Sequence, residues 1–532
     1  MTSAVAFSIS PAALMDANYS VRICVSLCEE SLEVLEHSAS SAASQGNLIE
    51  FRLDCLSPPA LDQVDDLLRL VVRTGSPTIL TLRPSEEGGK RELGFGARNE
   101  FWRGLQELPG SYLMDLEWDL IEGLVSSTGP GSPQIDWARV IASKHDFSGV
   151  PADLEQIYQR LARTPARIIK IAVQAHDITD CIPIFELLER ACNDRREAIA
   201  IAMGSAGIAT RILGPSRGAF LTYGALDMEA ATAPGQITAK ELRDVYRIER
   251  ITSKTQILGL AGFPVTHSIS PHLHNAAFAR TDFDGVYIPF EVRDLPAFIR
   301  RMVHPHTREL DWDFRGLSVT APHKSAVMDH LDWIEPAAKE IGAVNTVVVE
   351  AGVLRGYNTD APAFIETLTQ AAGDLRDARC AIIGAGGAAA SALWGLRQSG
   401  SRVTVYARDI KKAKLLGERF GADSTSLDSA SFDGFDVVVN ATPLGTSGER
   451  ESETPARAGQ LCGARLAYDL VYNPAQTQFL REAQEAGCKV FGGLAMLIAQ
   501  AAEQFRLWTG MEAPEEVMQS AALDALKTRE EQ

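Results

Sequence analysis

Short apolar runs alternate with longer amphipathic stretches between Val21 and about Gly224. The runs have the length and composition of buried strands, and most of the stretches between them favour helices. Eight strands, each leading toward a helix across roughly 230 residues, are typical of a (β/α)8 barrel. The predicted strands are residues 22–27, 47–54, 78–83, 112–118, 139–145, 167–173, 198–203 and 218–223.

Charges at the strand ends help to separate a closed barrel from an open sheet, which periodicity alone does not distinguish. In a barrel, the loops after the strands converge on one mouth, where active sites lie. Residues two apart on a strand face the same side, and charges inside apolar strands are costly unless they are paired. One polar site is therefore predicted, with contributions from Glu50, Arg52, Arg83, Asp115, Glu117, His145, Lys170 and Arg211.

Lys170 lies within the apolar segment IIKIAV, where a surface lysine would be out of place. A desolvated lysine near other cations loses its proton more readily and can attack a carbonyl carbon to form a Schiff base. His145 ends the preceding strand and is a natural proton carrier near neutral pH. The alternative for Lys170 is a buried ion pair with a glutamate that holds strands together.

Segments from all parts of this half resemble type I 3-dehydroquinate dehydratase: IEFRLD (49–54), TLRPSEEGG (81–89), SKHDF (143–147), IIKIAV (168–173), MGSAGIATR (203–211) and TAPGQI (232–237). The resemblance implies that Lys170 forms a Schiff base and that His145 is the general acid and base. Asp115 and Glu117 are both candidates for orienting His145. Around the substrate the resemblance places Glu50, Arg52, Arg83, Arg211, Thr232 and Gln236, with Glu87 on a loop near the mouth.

The second half begins after a short polar linker, Thr252 to Gln256, with a new apolar strand at 257–262. Alternation typical of α/β structure continues to about Thr359. The segment CAIIGAGGAAA (380–390) then follows strand residues and opens a helix, and SRVTVYAR (401–408) forms the next strand. This order of strand, glycine turn, helix and strand is the dinucleotide-binding signature.

The end of the second of these strands bears on the choice of cofactor. NAD enzymes place an acid there for the ribose, whereas a basic residue suits the 2′-phosphate of NADP. Arg408, helped by Lys411 or Lys412, therefore predicts NADP. Asp409 would suit the ribose of NAD, which keeps NAD as the alternative.

An ordered set of motifs over residues 257–525 resembles shikimate dehydrogenase: SISPHLHNAAF (268–278), SVTAPHK (318–324), GAVNT (342–346), GYNTD (356–360), NATPLG (440–445), YDLVYNP (468–474) and GGLAMLIAQAA (492–502). The resemblance implies Lys324 and Asp360 as the catalytic pair. Substrate contacts are implied for Ser268, Ser270, Thr320, Asn345, Tyr472 and Gln500. Cofactor contacts are implied for Gly384, Gly386, Gly387, Ala388, Arg408, Lys412, Asn440, Thr442 and Gly493.

This half departs from the family pattern at two places. Ser318 stands where bacterial forms commonly have Asn, and Ala407-Arg408-Asp409 stands where Asn-Arg-Thr is more usual. The hydroxyls at Ser268, Ser270 and Thr320 favour shikimate over quinate as the substrate.

The two resemblances together imply an α/β chain that dehydrates 3-dehydroquinate and then reduces 3-dehydroshikimate with NADPH. The predicted domains are a barrel at 20–251, a shikimate-binding domain at 256–359 completed by helices at about 495–525, and a Rossmann domain at 360–494. The alternatives are a quinate dehydrogenase in the second half, a different Schiff-base barrel such as an aldolase, and a scaffold with one inactive half.

Composition and charge limit the kinds of partner that this protein can bind. The formal net charge is −18, which argues against broad binding to nucleic acid or to an anionic membrane. No run of about 18 apolar residues occurs, and the first twenty residues lack the pattern of a secretory signal, so we expect a cytoplasmic protein with small-molecule substrates. The oligomeric state stays open and is compatible with a monomer.

Cysteine and histidine usage predicts neither disulfides nor a metal. The eight cysteines are sparse and form no Cys-x-x-Cys pair, so we expect buried reduced thiols. His267, His272 and His274 lie close in sequence, but no cysteine or carboxylate cluster completes a zinc ligand set.

Overall fold

The structure is a computed structural model that describes residues 21–106, 112–126, 135–428 and 430–530. The chain forms two compact units, the first made mainly of residues up to Thr255 and the second mainly of residues from Gln256. Each unit is built around parallel β-structure.

The first unit is a (β/α)8 barrel, which confirms the predicted fold class. In the described part of this unit, eight strands pair in parallel in the order β7-β6-β5-β4-β3-β2-β1-β8. An isolated bridge between Ala198 and Ala219 brings the two end strands together. The strands are β1 (Ile23–Leu27), β2 (Leu48–Arg52), β3 (Thr78–Thr81), β4 (Tyr112–Glu117), β5 (Val140–Asp146), β6 (Ile168–Gln174), β7 (Glu197–Met203) and β8 (Thr222–Gly224).

The last strand is shorter than the predicted 218–223. Gly218 has a left-handed backbone (φ 92°), which closes a helical turn at Pro215–Arg217 and is incompatible with an extended strand at that residue. Only Thr222–Gly224 pairs with β1 as a regular ladder. Apolar composition alone did not reveal this turn.

Helices cover the outside of the barrel and mostly follow the predicted segments. They are α1 (Leu32–Gln45), α2 (Pro58–Leu61), α3 (Val64–Thr74), α4 (Phe95–Gln106), α5 (Trp118–Ser126), α6 (Leu154–Ala162), α7 (Ile182–Asn193), α8 (Ile208–Leu213) and α9 (Ala239–Asp244).

Two layers inside the barrel position its site. Near the strand starts, Leu48, Ile79, Ile141, Ile168 and Ile199 form a buried apolar cluster. Because side chains alternate along a strand, the next residue on the same face lies two positions further toward the carboxyl end. Those positions carry the polar residues Glu50, Thr81, Ser143 and Lys170, all buried.

The prediction of reduced thiols is wrong for two cysteines. Cys28, directly after β1, forms a disulfide with Cys55, and their Cα atoms are 5.3 Å apart. The two residues are separated by 27 positions and by α1, so their spacing gave no signal. The parallel pairing of β1 with β2 brings the ends of these strands together, and the bond joins the segments that follow them.

The second unit contains two sheets. In its described residues, one sheet has the strand order β10-β9-β11-β13-β14-β12, and the other, wholly parallel, has the order β17-β16-β15-β18-β19-β20. The strands are β9 (Gln256–Gly262), β10 (Gly285–Glu291), β11 (Phe314–Val319), β12 (Trp333–Ile334), β13 (Thr346–Glu350), β14 (Val353–Tyr357), β15 (Arg379–Ile383), β16 (Arg402–Ala407), β17 (Asp423–Ser426), β18 (Val437–Asn440), β19 (Leu466–Asp469) and β20 (Lys489–Phe491).

The parallel sheet has the topology of a Rossmann fold. Its order reverses between β15 and β18, and ligands of such sheets bind at the carboxyl ends of the strands at this point. The crevice therefore lies where the glycine-rich turn after β15 and the segment after β18 meet, as the motif predicted.

The helices of this half of the chain end with a long C-terminal pair. They are α10 (Ser270–Thr281), α11 (Leu295–Phe298), α12 (Pro336–Ile341), α13 (Asp360–Ala372), α14 (Gly387–Gln398), α15 (Ile410–Phe420), α16 (Ala458–Leu461), α17 (Gln478–Glu485), α18 (Leu494–Thr509) and α19 (Glu515–Glu530). Phe505, Trp508 and Met518 of the last two helices share a buried cluster with Leu258 of β9 and Leu273 of α10. Among the described helices, none has the length and hydropathy needed to cross a membrane.

Candidate active sites

The centre of the barrel site is the buried amine of Lys170 on β6. Its Nζ donates to Asp115 Oδ2 at 2.8 Å and to Tyr223 Oη at 3.0 Å, and it lies 3.7 Å from Glu50 Oε1. Only 5% of the residue is exposed. Lys170 is thus paired with carboxylates, as expected for the alternative of a buried ion pair between strands. Those carboxylates also belong to a wider cluster of charges.

Arg83 is the second buried cation of this cluster. Its Nη2 is 2.8 Å from Asp115 Oδ2, and its Nη1 is 3.3 Å from Glu117 Oε1 and donates to Ser143 Oγ at 2.9 Å. Burial alone would raise the pKa of Asp115, but Arg83 and Lys170 hold it well below its usual range. Asp115 is therefore an anion shared by two cations.

His145 is the predicted proton-transfer residue, and its Nδ1 lies 3.2 Å from Glu87 Oε2. Burial and Arg83 lower the pKa of His145 to about 4, although Glu87 opposes this shift. Burial would raise the pKa of Glu87, but the hydrogen bond with His145 and the charge of Arg83 lower it to about 2. Near neutral pH, a neutral imidazole therefore donates from Nδ1 to a carboxylate, which leaves Nε2 as a proton acceptor.

Glu87, rather than Asp115 or Glu117, is the carboxylate that contacts His145, so the predicted choice between those two was wrong. Glu87 lies in a loop between β3 and α4, 58 positions from His145, and sequence reasoning assigned it to the substrate. Asp115 pairs with Lys170 and Arg83 instead. Burial raises the pKa of Glu117 to about 7, even though Arg83 acts against it.

Arg211 has the features of an anion-binding residue. It is 1% exposed, its Nη2 donates to the Pro234 carbonyl at 3.2 Å, and its Nε has no hydrogen-bond partner within the described residues. Burial lowers its pKa to about 10. Buried guanidinium donors are costly when left unpaired, and a carboxylate suits their forked geometry.

The loop after β8 carries the other predicted substrate residues of the barrel. Gln236 is buried, and its Oε1 accepts from the backbone N–H of Thr232 at 2.7 Å and from its hydroxyl at 3.3 Å. Since Pro234 of the same loop contacts Arg211, the structure brings these three predicted residues together. Arg52 differs, because its guanidinium makes a two-point pair with Asp54 at 2.9 and 2.8 Å.

In the second unit, Lys324 and Asp360 form the predicted pair. Lys324 Nζ donates to Asp360 Oδ2 at 2.5 Å. The amide of Asn345 donates to the other oxygen, Asp360 Oδ1, at 2.8 Å and to Thr359 Oγ1 at 2.9 Å. Asn345 therefore holds the aspartate of the pair, a contact that its predicted role in substrate binding did not include.

Hydroxyl groups cluster where β9 leads into α10. Ser268 Oγ donates to Ser270 Oγ at 3.1 Å, and Ser270 N donates to Ser268 Oγ at 3.2 Å. Burial raises the pKa of Tyr472, while a hydrogen bond with Ser268 opposes that shift, so this hydroxyl belongs to the same cluster. Thr320 follows β11, and Gln500 lies on α18, where its amide donates to the Leu497 carbonyl at 2.8 Å.

Sequence reasoning missed the network behind these hydroxyls. Tyr287 Oη donates to Ser318 Oγ at 2.7 Å, and Ser318 Oγ donates to Gln504 Oε1 at 2.8 Å. The replacement at Ser318 was visible in the sequence, but its partners come from β10 and α18, far apart along the chain.

The glycine-rich turn leaves room for a ligand and lies against Lys324 of the predicted catalytic pair. Gly384 has φ 130°, and a Cβ there would be 2.8 Å from the Ala441 carbonyl. At Gly386, a Cβ would meet no described atom within 4 Å. A Cβ on Gly387, the first residue of α14, would be 3.4 Å from Lys324 Cδ. Ala388 follows in the first turn of this helix, whose N-terminus suits a pyrophosphate.

The carboxylate of Asp409 caps the N-terminus of α15. As the N-cap of α15, its carboxylate accepts from the backbone N–H groups of Lys411 at 3.0 Å and Lys412 at 3.4 Å. Arg408 and the side chain of Lys412 are exposed. This arrangement fits a 2′-phosphate near the two basic residues better than a ribose on the aspartate.

Two further residues of the implied cofactor set have internal roles. Asn440 is fully buried, donates to Asp469 Oδ1 at 2.9 Å, and accepts from the backbone N–H and hydroxyl of Thr442 at 3.0 and 2.7 Å. It therefore positions Thr442 beside the crevice. At Gly493, a Cβ would lie 2.5 Å from the Leu470 carbonyl, so close packing requires glycine there.

Within the described ranges, no group of three or more His, Cys, Asp or Glu side chains is placed to hold a metal ion.

Comparison with known families covers both halves of the chain. Type I 3-dehydroquinase matches residues 23–253, and the shikimate dehydrogenase substrate binding domain matches 260–347. A putative NAD(P)-binding family matches 371–464, and the shikimate 5′-dehydrogenase C-terminal domain matches 493–523. Fold and sites thus define a two-site α/β enzyme in which a dehydratase barrel precedes a nucleotide-dependent dehydrogenase.

Similar proteins include one with the same two-part organisation. The bifunctional 3-dehydroquinate dehydratase/shikimate dehydrogenase, chloroplastic, of Arabidopsis thaliana is 34% identical over 516 residues, covering 93% of this chain and 83% of that protein. The chain belongs to this family of bifunctional 3-dehydroquinate dehydratase/shikimate dehydrogenases, which confirms both resemblances.

Other relatives match one half or the whole chain. A shikimate dehydrogenase (NADP(+)) of Desulforamulus reducens is 42% identical over 284 residues, 51% of this chain and 96% of that protein. The solved structure of dehydroquinate dehydratase and shikimate dehydrogenase from S. pombe AroM is 25% identical, with a TM-score of 0.42, over 95% of this chain and 99% of that one.

Proposed function

We propose that the barrel dehydrates 3-dehydroquinate through a Schiff base on Lys170 and that the second unit reduces the product, 3-dehydroshikimate, to shikimate with NADPH. The observation that carries this proposal is the buried Lys170 amine beside Asp115, in a barrel whose His145 is held neutral by its surroundings. The proposed assignment gives residues 20–251 to the dehydratase, 256–359 with 495–525 to the shikimate site, and 360–494 to the cofactor.

The dehydration begins when the Lys170 amine attacks the ketone carbon of the substrate and water leaves. The resulting iminium withdraws electrons and acidifies the adjacent C–H bond. His145 takes that proton and then protonates the departing hydroxyl, so that water is eliminated. Hydrolysis of the imine releases the conjugated ketone and restores the lysine.

Substrate orientation in the barrel depends on the carboxylate anchor. The unpaired Nε of buried Arg211 suits the carboxylate of 3-dehydroquinate, and Gln236 and Thr232 lie on the loop that contacts this arginine. Arg83 and Glu50 complete the wall around Lys170.

In the second unit, Lys324 protonates the ketone oxygen as it is reduced, and Asp360 holds the ammonium group in place. Ser268, Ser270 and Tyr472 bind the substrate carboxylate, with Thr320 and Gln500 at its hydroxyls. When bound, NADPH supplies the hydride. Residues that fit this cofactor are Gly384, Gly386, Gly387, Ala388, Arg408, Lys412, Thr442 and Gly493, with Asn440 holding Thr442.

Trapping of the imine tests the dehydratase assignment. Borohydride added with 3-dehydroquinate reduces an imine to a stable secondary amine, and peptide mapping by mass spectrometry should find the adduct on Lys170. Lys240, an exposed lysine on α9, is the internal comparison and should stay unmodified. An adduct on another lysine, or none in an active enzyme, would contradict the assignment.

The pH dependence of dehydration should reflect the lowered pKa of His145. An ordinary histidine titrates near 6.5, whereas this imidazole has a pKa of about 4. We therefore expect the titration of His145 to leave kcat/KM for dehydration unchanged as the pH falls through 6.5 and to reduce it near pH 4. A decrease in kcat/KM near pH 7 that disappears in Glu117→Gln is caused by Glu117. A decrease near pH 6.5 that persists in that variant would contradict the lowered pKa of His145.

The free energy of unfolding should also decrease as the pH falls below 6.5. Between the unfolded pKa of 6.5 and the folded pKa of about 4, the unfolded chain binds a proton at His145 that the folded chain does not. The contribution of His145 to the free energy of unfolding is therefore fully present above pH 6.5 and is lost as the pH falls through this window.

Cofactor preference should depend on Arg408. A guanidinium binds the 2′-phosphate of NADP through charge-assisted hydrogen bonds, and NAD has no such phosphate. Arg408→Ala should weaken NADP relative to NAD by about 1.5–3 kcal/mol. Asp409→Thr should favour NADP, because it removes a negative charge near the phosphate while threonine can still cap α15.

Measuring kcat/KM with both cofactors tests this, with Asp409→Asn as the variant that keeps the cap and removes the charge. A parent enzyme that prefers NAD would mean that Asp409 binds the ribose.

A cytoplasmic location stays a prediction, and the relative from Arabidopsis thaliana is named chloroplastic.

A further inference from the structure

The motif IEFRLD ends in a buried carboxylate that the reaction does not use. Asp54 lies in the turn Leu53–Cys55 after β2, and its side chain is fully buried. Its two oxygens accept four hydrogen bonds, two from the guanidinium of Arg52 and two from backbone N–H groups. A carboxylate is the only side chain of this length that can accept from donors on both of its oxygens.

The two backbone donors lie at the two ends of one loop. Asp54 Oδ1 accepts from Arg83 N at 3.3 Å, and Asp54 Oδ2 accepts from Lys90 N at 3.0 Å. Residues 84–89 between them form a tight turn, in which Gly89 N donates to the Pro84 carbonyl at 2.9 Å. Asp54 therefore closes this loop at its base.

Glu87 at the tip of the same loop contacts His145, the proposed proton-transfer residue. Glu87 Oε2 accepts from His145 N at 3.2 Å and contacts its Nδ1 at the same distance, while Glu87 Oε1 accepts from Lys144 Nζ at 2.9 Å. Gly88 of the same loop packs closely against Phe147, because a Cβ on Gly88 would lie 2.3 Å from the ring of that side chain.

The turn that carries Asp54 is itself anchored. Cys55, the next residue, is bonded to Cys28 at the end of β1. Arg52, which pairs with Asp54, also donates to the Gly88 carbonyl at 3.3 Å and so adds a third contact to the two that Asp54 makes with the loop. A continuous series of contacts thus connects the ends of β1 and β2 with His145.

We propose that Asp54 is a positioning residue of the dehydratase, which holds both ends of the 83–90 loop and thereby fixes Glu87 against His145. This inference rests on the proposed function of the barrel. Asp54 touches neither Lys170 nor His145 in the contacts above, and its effect is transmitted through Glu87.

The test is a double-mutant cycle between Asp54→Asn and Glu87→Gln. An amide cannot accept on its nitrogen, so Asp54→Asn leaves at least one donor of the loop base unpaired. We expect the dehydratase kcat to fall roughly 10–100-fold, since small misplacements of catalytic groups have effects of this size. In the Glu87→Gln background, the same substitution should cost less than about 3-fold, because the contact that it acts through has already been weakened.

Three readouts separate positioning from damage to the fold. The shikimate dehydrogenase rate of each variant measures intact enzyme and should stay near the parental value. Glu197→Gln, which changes a carboxylate paired with Arg167 at the opposite end of the barrel, should leave the dehydratase rate within about 3-fold. The NMR signals of the His145 imidazole should move in Asp54→Asn in the direction in which they move in Glu87→Gln.

The outcomes are distinguishable from failure of the proposed function. Borohydride should still trap an adduct on Lys170 in Asp54→Asn, because imine formation precedes the proton transfer. Equal losses in the parental and Glu87→Gln backgrounds, or unchanged His145 signals in Asp54→Asn, would overturn the role of Asp54. If the parent enzyme itself forms no adduct and no product, the dehydratase assignment fails, while the His145 signals still decide whether Asp54 positions this residue.

Discussion

Lys170→Ala should lower the rate of 3-dehydroquinate dehydration by a factor on the order of 10⁴ or more and leave shikimate oxidation near the parental rate. The reason is that no other amine in the cluster around Asp115 can form the imine, since the neighbouring cation is the guanidinium of Arg83. Initial rates of both reactions on the same preparation measure the effect.

A matched variant separates covalent chemistry from charge. Lys170→Arg retains a cation beside Asp115 but cannot form an imine, so it should be as inactive as Lys170→Ala. Dehydration at more than about a tenth of the parental rate in Lys170→Arg would show that the lysine acts only through its charge. Unchanged dehydration in Lys170→Ala would exclude the Schiff-base mechanism.

Lys324→Ala should have the reciprocal effect. Without the ammonium group, the ketone oxygen gains charge during reduction with no proton donor beside it, and general-acid catalysis accounts for roughly 10²–10⁴-fold in rate. We expect kcat for 3-dehydroshikimate reduction to fall by that factor, with dehydration unchanged.

The control for this prediction is Lys339→Ala, which removes an exposed lysine on α12 of the same unit. It should leave both rates within about 3-fold of the parent, as expected for a surface substitution. If Lys324→Ala changed only the KM for NADPH, the residue would be a cofactor contact next to Gly387 rather than the proton donor.

The barrel and the strands that carry its site could be predicted because both depend on local alternation. Glu50 and Lys170 lie inside the barrel for the same reason that Leu48 and Ile168 do, namely the two-residue period of a strand. The Rossmann sheet could likewise be predicted from a strand, a glycine turn and a helix in the right order.

Contacts made by irregular segments could not be predicted in this way. Glu87 reaches His145 from a loop whose path depends on Asp54 and on two glycines, and the Cys28–Cys55 bond depends on the pairing of β1 with β2. Such pairs are set by tertiary geometry, which the spacing of residues along the chain does not encode.

The role of Asp409 as the N-cap of α15 could have been predicted from a different rule. An aspartate directly before a helix is a common N-cap, and its carboxylate then binds the first backbone N–H groups. Reading it as the acid for a ribose relied on its distance from the glycine turn. Asn440 is a similar case, because the motif implies a contact with the cofactor, whereas its amide contacts Asp469 and Thr442.

The coupled reaction of the whole chain shows whether one protein performs both steps. The chain is incubated with 3-dehydroquinate and NADPH, oxidation of NADPH is followed, and the product is identified by mass spectrometry and chromatography. We expect shikimate, one molecule for each NADPH oxidised, and accumulation of 3-dehydroshikimate when NADPH is omitted. Formation of quinate, or NADPH oxidation without prior dehydration, would contradict it.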